Sequence, residues 1–206
     1  RKVSDEKWLK AQVPGCVHTD LYDNKIIPDP FYGTNEKDLQ WISHENWEYK
    51  TILDLDDEFI SKEIQLLKFY GLDTYAKVYV NGKLLIESNN MFHPWEENVK
   101  NIFQLGKNEI LVSFESPVQK ILPKMNKMDY ELPADNDQIK KTSPYTRKAP
   151  YHYGWDWGPS FATCGIWQNV EVIAYDFFVI NDVHVDQIEI HPHNANIGIN
   201  VDITSE

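Results

Sequence analysis

The stretch RKAPYHYGWDWGPSFATCGIW, from Arg147 to Trp167, gathers more chemistry-bearing residue types than any other part of the chain. It holds three of the seven tryptophans and two of the eleven tyrosines, set around a single acidic residue, Asp156. A carboxylate accepts hydrogen bonds from hydroxyls, and its two oxygens suit a pair of adjacent sugar hydroxyls. An indole face offers an apolar platform for the C–H bonds of a pyranose. If GWDWG is extended, Trp155 and Trp157 point one way and Asp156 the other. Gly154 and Gly158-Pro159 would let the segment turn at both ends. Two readings stand side by side. In one, the segment is a packed surface loop whose indoles bury area while Asp156 is exposed or caps a turn. In the other, packing on the indoles holds Asp156, or an indole, at a fixed point for a ligand.

Other chemistries find little in the sequence. Paired carboxylates would serve glycoside hydrolysis, but 32 acidic residues guarantee chance pairs, so composition singles out none. The closest histidine pair, His191 and His193 in HPH, has no cysteine or carboxylate at ligand spacing and reads as loop histidines, not a metal site. There is no G-x-S-x-G nucleophile elbow, no G-x-G-x-x-G and no phosphate-binding P-loop pattern. Neither a metal nor a cofactor is expected, and no catalytic residue is assigned.

The elements that must position this segment read as all-β. The chain has 206 residues, 42% hydrophobic and 13% aromatic, enough for one large β-domain or one domain with a remainder. A net charge of −12 lacks the basic footprint of a nucleic-acid partner and disfavours an anionic membrane surface. No apolar run approaches the ~18 residues of a membrane-spanning helix. Cys16 and Cys164 lie far apart and could pair or stay reduced. A start without methionine reads as a mature or trimmed end. The compartment stays open, with a periplasmic or secreted setting the favoured expectation.

Residues 1–45 carry Pro14, Gly15, Pro28, Pro30 and Gly33 and read as an ordered wrap with a short helix at Val17–Asn24. Phe31, Tyr32, Leu39 and Trp41 are expected to be its buried anchors. In NWEYKTILDLD, apolar and polar residues alternate from Trp47 to Leu55 as in a half-buried strand. KEIQLLKFYG is a second strand. TYAKVYVNGKLLIES predicts a hairpin, with Asn81-Gly82 as a type I′ turn. NEILVSFES is a further strand, with Ile110, Val112 and Phe114 on one face. In SPVQKILPKMNKM the period changes: Ser116 can cap, Pro117 suits the first helical position, and Val118, Ile121, Leu122 and Met125 form a stripe. Residues 129–150 read as a long loop, and strand character returns at IWQNVEVIAYD. After about Phe178 the chain starts afresh with two strands around HPHNAN, an opening hairpin of a further β-domain. The expectation is therefore a fragment of something longer. Short strands with turn signals argue for an antiparallel sandwich or jelly roll.

VPGCVHTDLY, DPFYGTNE, VYVNGK, RKAPYHYGWDWGP and TCGIW occur in that order over residues 8–177. Together they closely resemble the N-terminal sugar-binding-like domain of the β-mannosidases of glycoside hydrolase family 2. RKAPYHYGWDWGP resembles β-mannosidase-like members specifically, whereas VNG and GIW are shared with β-galactosidase and β-glucuronidase relatives. Those relatives usually carry arginine after the aromatic of GIW; here Gln168 follows Trp167, a local variation at a strand start.

The resemblance implies an antiparallel jelly-roll β-sandwich, galactose-binding-domain-like, over residues 1–178, and the first strands of a truncated immunoglobulin-like sandwich over 179–206. It implies a (β/α)₈ barrel elsewhere that supplies both glutamates of a retaining mechanism, so this region would be inactive alone. It also implies that a loop from this domain reaches the barrel mouth and helps to bind a terminal β-linked mannosyl unit. Asp156 would accept hydroxyls, Trp155 would form the wall beside it, and Trp157 would lock the loop into the domain while lying at the same substrate-binding site. Arg147, Tyr151 and His152 would brace the loop. Cys16 and Cys164 would be buried small residues, and VPG, DPFYG and NG structural. Rival readings are a stand-alone carbohydrate-binding module and part of a related exo-enzyme, a β-glucosaminidase or β-galactosidase.

Overall fold

The computed structural model describes residues 1–205. Its strands pair antiparallel in every sheet. The N-terminal wrap carries the predicted helix, α1 (Val17–Asp23), a short α2 (Asn35–Asp38) and a 3-10 turn at Gln40–His44. Strand β1 (Trp47–Leu55) follows, then α3 (Asp57–Ser61), capped where the Asp56 side chain accepts from the Phe59 amide. Next come β2 (Ile64–Phe69), β3 (Leu72–Asp73), β4 (Tyr75–Val80), β5 (Lys83–Asn89), β6 (Trp95–Asn98) and β7 (Gly106–Glu115). Helix α4 (Pro117–Met125) is capped by Ser116, whose hydroxyl accepts from the Gln119 amide. The last strands are β8 (Gly165–Ile166), β9 (Val170–Tyr175), β10 (Phe178–Ile190) and β11 (Ala195–Ser205).

One sheet runs β1-β7-β4-β5 and a second β6-β2-β9, with the short pair β3-β8 beside them. The alternation read from the sequence is the burial seen. Val78, Val80, Val112 and Phe114 face Leu67, Phe69 and Leu72 in one core. Asn81 and Gly82 both take positive φ, 49° and 80°, as a type I′ turn requires. The pair β10–β11 stands apart as a long hairpin. Val183 pairs with Val201 and Val185 with Ile199 on one apolar face, and all four are exposed.

The wrap corrects one expectation. Leu39 is buried, but Phe31 and Tyr32 are 77% and 76% exposed, and Trp41 is only half-covered against Trp47. Polar bonds order this turn instead. The Phe31 amide donates to Asp29 Oδ1 at 2.9 Å and the Asn35 side chain to the Asp29 carbonyl at 2.8 Å. The turn needs no buried ring to hold its shape.

Candidate functional site

Segments far apart in sequence meet at one end of the sandwich. The Gly15 amide donates to the Ile166 carbonyl and the Val17 amide to the Cys164 carbonyl, each at 2.9 Å, so the chain entering α1 lies along β8. Gly165 has to be glycine here: its φ is +158°, and a Cβ would come within 2.6 Å of the Gly15 carbonyl oxygen. Pairing of β3 with β8 sets Asp73 opposite Gly165. Lys148 closes the assembly by pairing with Asp73 Oδ2 and donating to the Thr163 carbonyl at 2.8 Å. The connection after β5 joins in: the Met91 amide donates to the Arg147 carbonyl at 3.0 Å, and Trp167 Nε1 donates to the Met91 carbonyl at 3.0 Å.

This frame sets two imidazoles. His18 Nδ1 lies 2.9 Å from Thr163 Oγ1. His152 Nδ1 lies 3.6 Å from Asp73 Oδ2, too far for a hydrogen bond, and has no other partner. Burial, and then the nearby Lys148 ammonium, push both histidines down to about 4. Both rings are therefore neutral near pH 7, and the Asp73 charge is met by Lys148 rather than by His152.

The loop carrying Trp155, Asp156 and Trp157 is clamped at its ends. On the entry side the Gln138 amide donates to the Tyr153 carbonyl at 2.8 Å and its side chain to the Trp155 carbonyl at 3.3 Å. Gly154 has φ +116° and passes so close to Asn136 that a Cβ would sit 2.8 Å from that carbonyl oxygen. On the exit side the Ser160 amide donates to Glu36 Oε1 at 2.7 Å, and Gln40 Nε2 donates to the Ser160 carbonyl at 2.8 Å. Trp157 is 84% exposed and does not lock the loop, contrary to the expectation from sequence; the backbone clamps do. Trp155 is 38% exposed and Asp156 lies in solvent.

Trp155 and Trp157 line an open groove of about 830 Å³ together with the Asp29–Phe31 turn. Its lining also includes His18, Thr163 and Phe161. Asp156 is not among the lining residues, and the chain bends at Asp156, Trp157 and Gly158 instead of running extended as the sequence reading supposed. Of the expected braces, His152 is half-buried and lines the groove. Tyr151 is exposed and edges onto the His152 ring, with centroids 4.8 Å apart. Arg147 is exposed and contributes its carbonyl rather than its guanidinium. Cys164 is buried, whereas Cys16 is half-buried and reaches the groove; both are free thiols.

Asp73, Thr163, His18, Gln138 and Glu36 were not singled out by sequence reasoning. His18 and Thr163 lie inside the motifs VPGCVHTDLY and TCGIW, which was the available signal. Asp73 and Lys148 are 75 positions apart, and nothing local marks them as partners. Asp29 is the one carboxylate among the described residues lining the groove. Among the described residues the groove lining therefore holds no facing pair of carboxylates.

The model of the glycosyl hydrolase 2 galactose-binding domain-like family matches residues 1–168. A probable β-mannosidase of Caenorhabditis elegans is 37% identical over 174 residues, covering 79% of this chain and 19% of its own length. β-Mannosidase B of Thermothelomyces thermophilus is 34% identical over 179 residues, covering 84% of this chain and 20% of its own. The chain therefore spans about a fifth of the curated relatives it matches. Among solved structures, the β-D-mannosidase of Dictyoglomus thermophilum superposes over 100% of this chain and 25% of its own, with TM-score 0.92 and 40% identity. An exo-chitosanase of Amycolatopsis orientalis superposes over 98% of this chain and 22% of its own, with TM-score 0.71 at 21% identity, a likeness of fold.

Proposed function

The chain belongs to the glycosyl hydrolase 2 galactose-binding domain-like family, and on that premise we propose that it is the non-catalytic N-terminal region of an exo-acting β-mannosidase. The substrate is a terminal non-reducing β-D-mannoside. The catalytic glutamates of a retaining mechanism lie in a barrel outside these residues. A second unit, immunoglobulin-like, opens at residue 179 with the β10–β11 hairpin. This region supplies a substrate-binding loop, in which Asp156 accepts mannosyl hydroxyls and Trp155 walls the sugar. Trp157 contributes an exposed face, and Arg147, Tyr151 and His152 stand behind the loop.

The observation that carries this reading is the loop itself. A carboxylate and two indoles are presented outward on a backbone clamped at Gln138 on one side and at Glu36 and Gln40 on the other. Exposed indoles on a packed surface loop would normally be covered, and a clamp that keeps them uncovered fits a loop made to meet a ligand. The test is hydrolysis by the full-length protein of β-mannosides, β-glucosides, β-galactosides and β-glucosaminides. Preference for the β-mannoside supports the reading. Preference for the glucosaminide would move the assignment to a related exo-enzyme. Absence of any hydrolysis, with mannose bound, would make the chain part of a binding module.

A further inference from the structure

The groove between the two loops is not the Asp156 site. Asp156 does not line it, and the Asp29–Phe31 turn does. That turn is built rather than loose. Asp29 Oδ1 is held by the Phe31 amide at 2.9 Å. The exposed Phe31 ring is edged against Phe161 at 5.4 Å, and Phe161 is edged against His18 at 5.3 Å. Phe31 and Trp157 thus both line the groove as solvent-facing rings, on backbones with separate anchors. No lysine or arginine lines the groove, so an anionic ligand would find no cation there.

These features select the occupant. An apolar helix or strand seated on the rings would bury Asp29 Oδ2 with no donor, since the Phe31 amide serves only Oδ1, and that is costly. A pyranose has apolar C–H faces for the rings and hydroxyls around its edge for the carboxylate. The volume is in the range of small-molecule sites.

We infer that the groove lined by Phe31, Trp157 and Asp29 is a second saccharide subsite that takes a neutral sugar unit next to the mannosyl unit met by Asp156. This rests on the function proposed above. The DPFYG turn, which reads as structural from sequence, then has a ligand-facing role.

The test is Phe31→Ala and, separately, Asp29→Asn in the full-length protein. Asparagine keeps the oxygen that the Phe31 amide needs, and Phe31 is an exposed ring, so both variants should fold. The measurement is kcat/KM for a β-linked mannose disaccharide against methyl β-mannoside, which has no second ring. Each variant should lower the disaccharide-to-methyl ratio by about ten-fold, the scale of one well-placed ring or charged contact. Equal losses on both substrates, or no loss, overturn the subsite. If the wild-type protein cleaves no mannoside, the proposed function fails and the subsite is read another way. Saturable quenching of tryptophan fluorescence by the disaccharide, weakened in Phe31→Ala, then supports it; no quenching, or quenching unchanged by the substitution, overturns it.

Discussion

Lys148 and Asp73 form an ion pair closed to solvent, 2% and 1% exposed, and the same ammonium donates to the carbonyl of Thr163, a residue that lines the groove. The pair ties the segment leading into the Trp155–Trp157 loop to strand β3. Desolvation costs a buried pair much of its Coulombic gain, so its worth lies in where it pins the chain.

Breaking the pair from one side should therefore cost more than removing it. Lys148→Met leaves Asp73 charged and buried and is expected to lower stability by about 3–5 kcal/mol. Adding Asp73→Leu to the same protein should recover part of that loss. Urea denaturation of the two single variants and the double checks both. A double variant less stable than the single one by the full cost of Asp73→Leu alone would show that the two residues do not act as a pair.

The neutral imidazoles give a pH dependence with a definite sign. Folded His18 and His152 take protons only near 4, while the unfolded rings take them near 6.5. Between those values the unfolded state binds more protons, so stability rises with pH through that window. The contribution is complete above about 6.5 and is lost as pH falls toward 4. His18→Gln should flatten part of this slope, measured as urea midpoints from pH 7.5 downward. Identical slopes in the two proteins would count against the assignment.

Clamp and display are separable in the loop. Gly154→Ala places a Cβ against the Asn136 carbonyl at a φ that L-residues avoid, and should cost about 1–3 kcal/mol while speeding amide exchange at 155–160. Trp157→Ala removes an exposed ring and should change stability by no more than about 0.5 kcal/mol. Thermal melts with hydrogen exchange distinguish the two. A large loss of stability in Trp157→Ala would restore the locking role that its exposure denies.

What could be read from sequence was whatever rests on local pattern. The β4–β5 hairpin followed from Asn81-Gly82, α4 from Ser116 and Pro117, and the β10–β11 hairpin from strict alternation, because turns, caps and strand faces are decided by neighbours in the chain. Phe31, Tyr32 and Trp157 went against expectation for the same reason. Large rings are expected to be buried, whereas here polar bonds of Asp29, Gln138 and Glu36, the last reaching 124 positions along the chain, order the backbones that carry them. The loop's displayed residues were legible as a motif. Its clamps and the part of the groove lined by the Asp29–Phe31 turn were not, since they come from segments that meet only in three dimensions.

The central claim is that the loop built by these residues meets the substrate through Asp156. The most direct measurement is kcat/KM of full-length Asp156→Ala on a β-mannoside, with the corresponding β-glucoside alongside. Loss of a charged hydroxyl contact predicts a fall on the order of 2–3 kcal/mol, roughly 30- to 150-fold, on the mannoside. An unchanged kcat/KM for the mannoside would contradict the account.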